Sequence, residues 1–269
     1  MTIFQAVVLG TIQGLAEFLP ISSSAHLAIA PWLFGWEPPG LAFDVSLHVG
    51  TLFAVLWYFR RDWMELVAAA WSIVRHRRIS TAAERRALFL VVATIPAGLA
   101  GLFLEDYAET VFRAPVITGV ALIVLGIVLW LADRTAPNNR TLDDMRLRDA
   151  VLIGCAQALA LVPGVSRSGA TITAGRALAL DRQSAAVFSF LMSMPIISAA
   201  AILEVPAAVA ASTDLAPLVA GILASAVSGW LAITVLLRFV SRNDYGVFAL
   251  YRLVFGAFVL WLVYSRGIA

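Results

Sequence analysis

The chain has 269 residues, 61% of them hydrophobic and 13% charged, with a formal net charge of +2; its mean hydropathy is +0.89. A soluble domain is nearer 45–50% apolar and about 25% charged, so the composition excludes an ordinary water-soluble protein, and the small net charge argues against a nucleic-acid partner. All 19 basic residues are Arg, which removes lysine chemistry, and the one cysteine, Cys155, has no intrachain partner for a disulfide.

The first predicted element covers residues 3–35. An apolar stretch, 3–19, runs into Pro20, and a second one, 21–35, returns after the cluster Ser22-Ser23-Ser24. The start lacks a positive region and carries Glu17 inside its apolar run, so it does not read as a cleaved signal peptide. A helical span needs roughly 20 apolar residues, and a proline ends or kinks a helix before it. The two short pieces therefore predict a re-entrant hairpin. Spans are expected over 43–59, 87–104 and 112–132. Residues 149–162 and 168–180, separated by Pro163-Gly164, predict a second hairpin. Spans over 184–204, 215–240 and 246–265 complete the chain.

The two broken segments share a signature. Gly10, Gln13, Leu15 and Ala16 match Gly154, Gln157, Leu159 and Ala160 at an offset of 144, and Pro20 and Ser23 match Pro163 and Ser166 at an offset of 143. The shift implies one residue fewer in the second copy. The expected architecture is a single all-α polytopic integral membrane domain, 1–269. Repeat one (about 1–135) and repeat two (about 146–269) each hold a hairpin and three spans. Three is odd, so the second hairpin enters from the opposite face, giving an inverted-topology repeat of six full spans and two hairpins meeting at mid-membrane. Non-helical backbone at that depth must be covered by protein or water.

The arginines agree with this layout. The loop after 43–59 carries Arg60, Arg61, Arg75, Arg77, Arg78, Arg85 and Arg86; the next has Glu105, Asp106 and Glu109 against Arg113. The third holds Arg134, Arg140, Arg146 and Arg148, the fourth has Asp214 and no basic residue, and the fifth is flanked by Arg238 and Arg242. Alternating basic and non-basic loops put the first hairpin and both termini outside and the second hairpin on the cytoplasmic side. Arg176 and Arg182 read as orientation signals at the cytoplasmic end of hairpin two.

Chemistry concentrates at the breaks. Gln13 and Glu17 are four apart and share a helix face, and a carboxylate at bilayer depth costs about 2.5–3.5 kcal/mol on insertion scales. Ser22, Ser23 and Ser24 can cap the returning helix. His26, three residues after Ser23, falls on the same face, and a hydroxyl beside an imidazole and a carboxylate can be activated as an oxygen nucleophile. In the second copy Arg167 sits among Ser166, Ser168 and Thr171. A buried guanidinium needs an anion, either Glu17 across the hairpins or a phosphate, whose geometry suits the fork. Helix N-termini at both breaks add N–H donors. The sum is a phosphate-handling site reached by a lipid. His48, at the start of a span, reads as a structural residue, and Arg252, inside the last span, requires a partner that the sequence does not name.

Gln13-xxx-Glu17 leading into Phe18-Leu19-Pro20-Ile21-Ser22-Ser23-Ser24-Ala25-His26, together with Pro163-Gly164-Val165-Ser166-Arg167-Ser168-Gly169-Ala170-Thr171, resembles the undecaprenyl-diphosphate phosphatases of the bacitracin-resistance type over essentially the whole chain. The resemblance implies hydrolysis of undecaprenyl diphosphate to the monophosphate in the bacterial inner membrane, recycling the lipid carrier of cell-wall synthesis. It also implies a divalent cation, Mg²⁺ or Ca²⁺, and a site open to the periplasm. The family's essential residues carry over to Glu17, Ser23, His26, Ser166, Arg167 and Thr171. Gln13 stands where the family often has Glu, which removes one charge from a metal site shared with Glu17. The partners implied are the prenyl diphosphate and membrane lipids; a homodimer is left open.

On this reading Ser23 attacks the terminal phosphorus with Glu17 or His26 as base, or His26 is itself the nucleophile. Ser22, Ser166, Arg167, Ser168 and Thr171 hold phosphate. The rival is a lipid flippase or a secondary transporter of an anion using the same mid-membrane site.

Overall fold

Thr2 starts the first helix with a reciprocal cap: its hydroxyl accepts from the Gln5 backbone N–H at 3.2 Å, and the Gln5 amide oxygen accepts from the Thr2 N–H at 2.9 Å. Helix α1 (Ile3–Phe18) then stops short of Pro20, and α2 (Ser23–Phe34) begins after the break and closes at Gly35 in a left-handed conformation. The remaining helices are α3 (Leu41–Tyr58), α4 (Arg60–His76), α5 (Ala82–Glu109), α6 (Pro115–Thr135), α7 (Leu147–Ala158), α8 (Arg167–Ala177), α9 (Arg182–Ala211), α10 (Ala216–Val240) and α11 (Gly246–Arg266). This computed structural model describes residues 1–109, 114–211 and 214–266. Arg113, counted above in the second loop, lies outside them, as does residue 112 of the third predicted span.

Among the described residues five helices are long and apolar enough to cross a membrane alone: Ala82–Leu104, Pro115–Thr135, Arg182–Leu203, Ala216–Val240 and Gly246–Ser265. Helix α3 passes that test only together with α4, from which it is bent by 85°. The protein is all-α and multi-pass, as its composition requires.

Residues 60–76 form a helix where the sequence suggested only a basic loop. Met64, Val67, Trp71 and Val74 recur every three or four residues and all are exposed. Arg61 and Glu65 are exposed off that stripe, while Arg60 and Arg75 close its two ends. Such an apolar stripe under charge is the pattern of a helix lying in the bilayer interface, and it is hidden when arginines are merely counted.

Without water to expel, helices in lipid associate through close packing of small residues. The broken helices each lie on a long one in this way. A Cβ on Gly10 of α1 would stand 2.1 Å from the Gly221 carbonyl oxygen of α10, and one on Gly154 of α7 would stand 2.5 Å from the Ala93 carbonyl oxygen of α5. The matched glycines therefore perform matched tasks. Farther in, Phe18 meets Phe190 edge to face at 5.2 Å, anchoring the end of α1 to α9.

The breaks correspond differently from the sequence alignment. Helices α2 and α8 start at Ser23 and Arg167, and each is preceded by a serine of positive φ, Ser22 (75°) and Ser166 (69°). The backbone thus keeps the offset of 144 through the break, pairing Ser22, not Ser23, with Ser166. The proline shift is absorbed within the turns, where Gly164 also takes positive φ, 92°.

Arg176, read from the sequence as an orientation signal, lies inside the protein. It is fully buried, with its Nε 2.6 Å from Asp133 Oδ1, and its fork donates to the carbonyls of Asp133, Ala136, Pro137 and Leu180. Arg182 joins the same carboxylate at 2.9 Å, and the Tyr245 N–H donates to it at 2.9 Å. One acid thus gathers the ends of α6, α8, α9 and α11.

Candidate active site

The two breaks meet. Glu17, on the last turn of α1, is 6% exposed, and its Oε1 accepts from Arg167 Nη2 at 2.9 Å. Its Oε2 accepts from the Ser23 hydroxyl at 2.7 Å and from the Gln13 amide at 3.1 Å. Spacing explains the last contact, since residues four apart on a helix are neighbours. The first two need the chain reversal at Pro20 and the approach of α8. Arg167 also donates from Nη1 to the Ser189 carbonyl of α9 at 3.1 Å, which fixes the plane of its fork.

Glu17, Ser23 and Arg167 line a cavity of about 210 Å³ with Ser24, Val45, His48, Ala160, Ser166, Ile196, Ile197 and Ala200. His48, read from sequence as structural, faces the site: its Nε2 is 3.5 Å from Glu17 Oε2, and its Nδ1 is 2.9 Å from the Asp44 carbonyl oxygen. The signal was present in the sequence as an imidazole within a span, but nothing local tied it to Glu17.

Other nominated residues stand behind the cavity. His26 Nδ1 lies 2.7 Å from the Ser22 carbonyl oxygen and Nε2 lies 2.6 Å from the Tyr251 hydroxyl, while its ring stacks on Phe255 at 4.2 Å. Both ring nitrogens are thus engaged away from Ser23, because a spacing of three turns the ring toward α11. Ser22 is buried, with its hydroxyl 3.2 Å from that of Ser24, and makes no cap bond through its side chain. Ser166 does cap, accepting from the Gly169 N–H at 3.1 Å. Ser168 donates to the Leu19 carbonyl at 3.1 Å, locking one break to the other. The Thr171 hydroxyl is 2.7 Å from that of Ser189 and does not line the cavity.

Arg252 finds backbone rather than an acid. It is fully buried in α11 and donates to the carbonyls of Pro20 (3.2 Å), Gly164 (2.9 Å), Val165 (3.0 Å) and Leu122 (3.2 Å). Turns interrupted by Pro20 and Pro163 leave carbonyls without helical donors, and one guanidinium satisfies them in both breaks. An arginine inside a span signals a buried acceptor, but only the fold shows that the acceptors are carbonyls.

Among the described residues no three His, Cys, Asp or Glu side chains come together. Among the described residues Glu17 is the only carboxylate lining the cavity. The Gln13 amide turns its nitrogen to Glu17, and its oxygen is buried without a hydrogen-bond partner and away from the cavity lining. A single carboxylate suits a hard cation that draws its remaining ligands from substrate phosphates, and Gln13 joins it only with its amide reversed.

The arrangement can hold a dianionic phosphoryl group, present a hydroxyl to it and take up that hydroxyl's proton. Comparison with known proteins points the same way. Residues 6–258 match the family of the bacitracin resistance protein BacA. An undecaprenyl-diphosphatase of Gemmatimonas aurantiaca is 58% identical over 99% of this chain and 100% of its own length. Those of Desulforudis audaxviator (49%, over 99% and 100%) and Myxococcus xanthus (45%, over 98% and 90%) are also similar. A match of this extent means that the chain belongs to the bacitracin resistance protein BacA family.

Proposed function

We propose that this protein hydrolyses undecaprenyl diphosphate to undecaprenyl phosphate and inorganic phosphate. The observation that carries the reading is the Ser23 hydroxyl hydrogen-bonded at 2.7 Å to a carboxylate whose other oxygen is paired with Arg167 at 2.9 Å. Hydroxyl, base and phosphate-binding cation are the minimum set for phosphoryl transfer through an enzyme nucleophile. The Ser23 oxygen forms a bond to the terminal phosphorus as the bridging P–O bond breaks, with the lipid phosphate leaving and the hydroxyl proton passing toward Glu17. Arg167, Ser166 and the first N–H groups of α2 and α8 offset charge on the equatorial oxygens. Water then releases phosphate from Ser23. His26, held by Tyr251 and the Ser22 carbonyl, is a positioning group for the turn in this scheme. Ser22, Ser168 and Thr171 brace the two breaks from behind. Glu17 and Gln13 would hold Mg²⁺ or Ca²⁺, which neutralises diphosphate charge when bound.

The finer architecture belongs to the same proposal. The breaks at Pro20 and Pro163 are the tips of two re-entrant hairpins in an inverted repeat. It is supported by α1 lying on α10 as α7 lies on α5, and by α3 packing on α9. Val45 and His48, near the start of α3, and Ile196 to Ala200, in the second half of α9, line the cavity. In the topology inferred from the arginines those are the outer halves of their spans, which favours a site open to the periplasm and termini outside. The transport alternative is not favoured, since the relatives carry enzyme names and transport needs no hydroxyl on the carboxylate.

The test is phosphate release from a C55 prenyl diphosphate by purified protein in detergent, with and without Mg²⁺ or Ca²⁺, beside Arg167→Ala. Cation-dependent release abolished in the variant is expected. A folded, monodisperse wild type that releases none overturns the reading.

A further inference from the structure

Two neighbouring residues of α11 hold the first break. Arg252 takes the Pro20 carbonyl at 3.2 Å. Tyr251 acts two residues later in the turn and through an intermediary: its hydroxyl lies 2.6 Å from His26 Nε2, and His26 Nδ1 lies 2.7 Å from the Ser22 carbonyl oxygen. A carbonyl only accepts, so the shared proton belongs to Nδ1, and the neutral ring keeps a lone pair on Nε2. That lone pair needs a donor, and the tyrosine hydroxyl is one. Donation therefore runs from Tyr251 to His26 to Ser22, and the partner at one ring nitrogen sets the state of the other. Phe255 stacks on the imidazole at 4.2 Å, and the Tyr251 ring lies 13° from parallel to it at 5.7 Å, which keeps the imidazole in this plane.

The bonds fix one peptide unit. The Ser22 carbonyl and the Ser23 N–H belong to the same trans peptide and point in opposite directions. His26 stands behind the cavity and Ser23 lines it, so a carbonyl drawn toward His26 turns the Ser23 N–H toward the cavity. Ser23 opens α2; its N–H has no intrahelical partner and is among the helix-start donors available to a phosphoryl group. Ser22 holds φ at 75° without a side-chain cap, and a residue in that region persists only where its surroundings over-determine it. The Tyr251–His26 bonds are such surroundings.

Building on the diphosphatase reading, we infer that Tyr251 is a positioning residue for phosphoryl transfer. Its hydroxyl fixes the tautomer of His26, and His26 in turn orients the Ser22–Ser23 peptide whose N–H meets the phosphoryl group. The tyrosine itself touches neither Ser23 nor the cavity. At 42% exposure it has a simpler use, that of an aromatic ring at the membrane interface. The ring alone serves that use, whereas His26 requires the hydroxyl.

Tyr251→Phe removes the hydroxyl and keeps the ring stack. With the C55 diphosphate in detergent, kcat should fall roughly tenfold or more, while KM and the melting midpoint stay near wild type. Nitrogen-15 spectra of histidine-labelled protein read the tautomer directly. The chain has three histidines, and the His26 signal is identified by its loss in His26→Asn. The wild type should show one form, protonated on Nδ1, and Tyr251→Phe a mixture of the two tautomers. Wild-type kcat in Tyr251→Phe overturns the assignment, whatever its melting midpoint, and so does a His26 signal that the substitution leaves unchanged. If the spectra change as expected but the wild type releases no phosphate, the tyrosine–histidine link stands and the diphosphatase reading falls.

Discussion

Ser22 and Ser166 adopt the same positive-φ backbone, at 75° and 69°, 144 residues apart, each on the last step before a helix that contributes to the site. Non-glycine residues in such regions cost of order 1–3 kcal/mol. The strain is tolerated where the chain must reverse within two or three residues to bring Ser23 under Glu17 and Arg167 beside it. Ser22→Gly should therefore raise the thermal midpoint in detergent, the relief exceeding the roughly 0.4–1 kcal/mol of added unfolded-state freedom. Ser22→Val should lower it. Ser166→Gly should gain less, since it also gives up the cap to Gly169, worth about 1 kcal/mol. Intrinsic-fluorescence melting of the three variants orders them.

Glu17 and Arg167 are a buried pair, 6% and 12% exposed. Removing one partner leaves an uncompensated charge, which costs about 3–5 kcal/mol. We expect Glu17→Gln and Arg167→Ala each to lower stability sharply and to abolish phosphate release. The double variant should recover much of the stability and none of the activity. A double-variant cycle on melting, run beside the release assay, separates the two quantities; simple additivity of the stability losses would show that the pair is not coupled.

Arg252→Ala should disturb both breaks at once. Five carbonyls lose this donor; those of Pro20, Gly164 and Val165 lie in the breaks, and each one left buried and unpaired costs about 1–3 kcal/mol. Arg252→Lys keeps the charge but not the fork, and cannot reach acceptors in both breaks. The expected order of phosphate release is wild type, then Lys at tenfold lower or worse, then Ala. Retention of wild-type turnover in the Ala variant would remove the arginine from any role in aligning the halves.

Asp133→Ala strands Arg176, fully buried, and Arg182 together, and should abolish accumulation of folded protein in the membrane. Asp143→Ala breaks the pair with Arg86, whose members are 64% and 29% exposed, and should alter stability by less than about 1 kcal/mol. Yields of monodisperse protein from matched expressions report the contrast.

The sequence carried the positions of the helix breaks because prolines and serine clusters act locally. It offered Glu17 as one of two partners for Arg167, the other being a phosphate, because a buried guanidinium needs an anion, and the pair is formed in the structure. His48 was illegible as a site residue: its approach to Glu17 depends on how α3 packs on α1, which no spacing encodes. Arg252 announced a partner without naming it, since backbone carbonyls have no sequence signature. Helix α4 was obscured by its arginines, although its period was there to be counted. His26 shows the limit of helical-wheel reasoning, because three residues turn a side chain by about 300°, enough to put its ring on Tyr251 and Phe255 rather than beside Ser23.

The contact between Arg167 and Glu17 also sets how this site can work over a cycle. The resting cavity already contains an anion for its arginine, so an arriving diphosphate must exchange for the carboxylate rather than fill an empty electrostatic well. Exchange discriminates by charge: a ligand with a full diphosphate can outcompete a tethered carboxylate, and one with a single phosphate competes less well. The same carboxylate is waiting when the phosphoryl group has gone. Its return to Arg167 would displace the released anion, and in the proposed mechanism this displacing group stands six residues from the attacking Ser23.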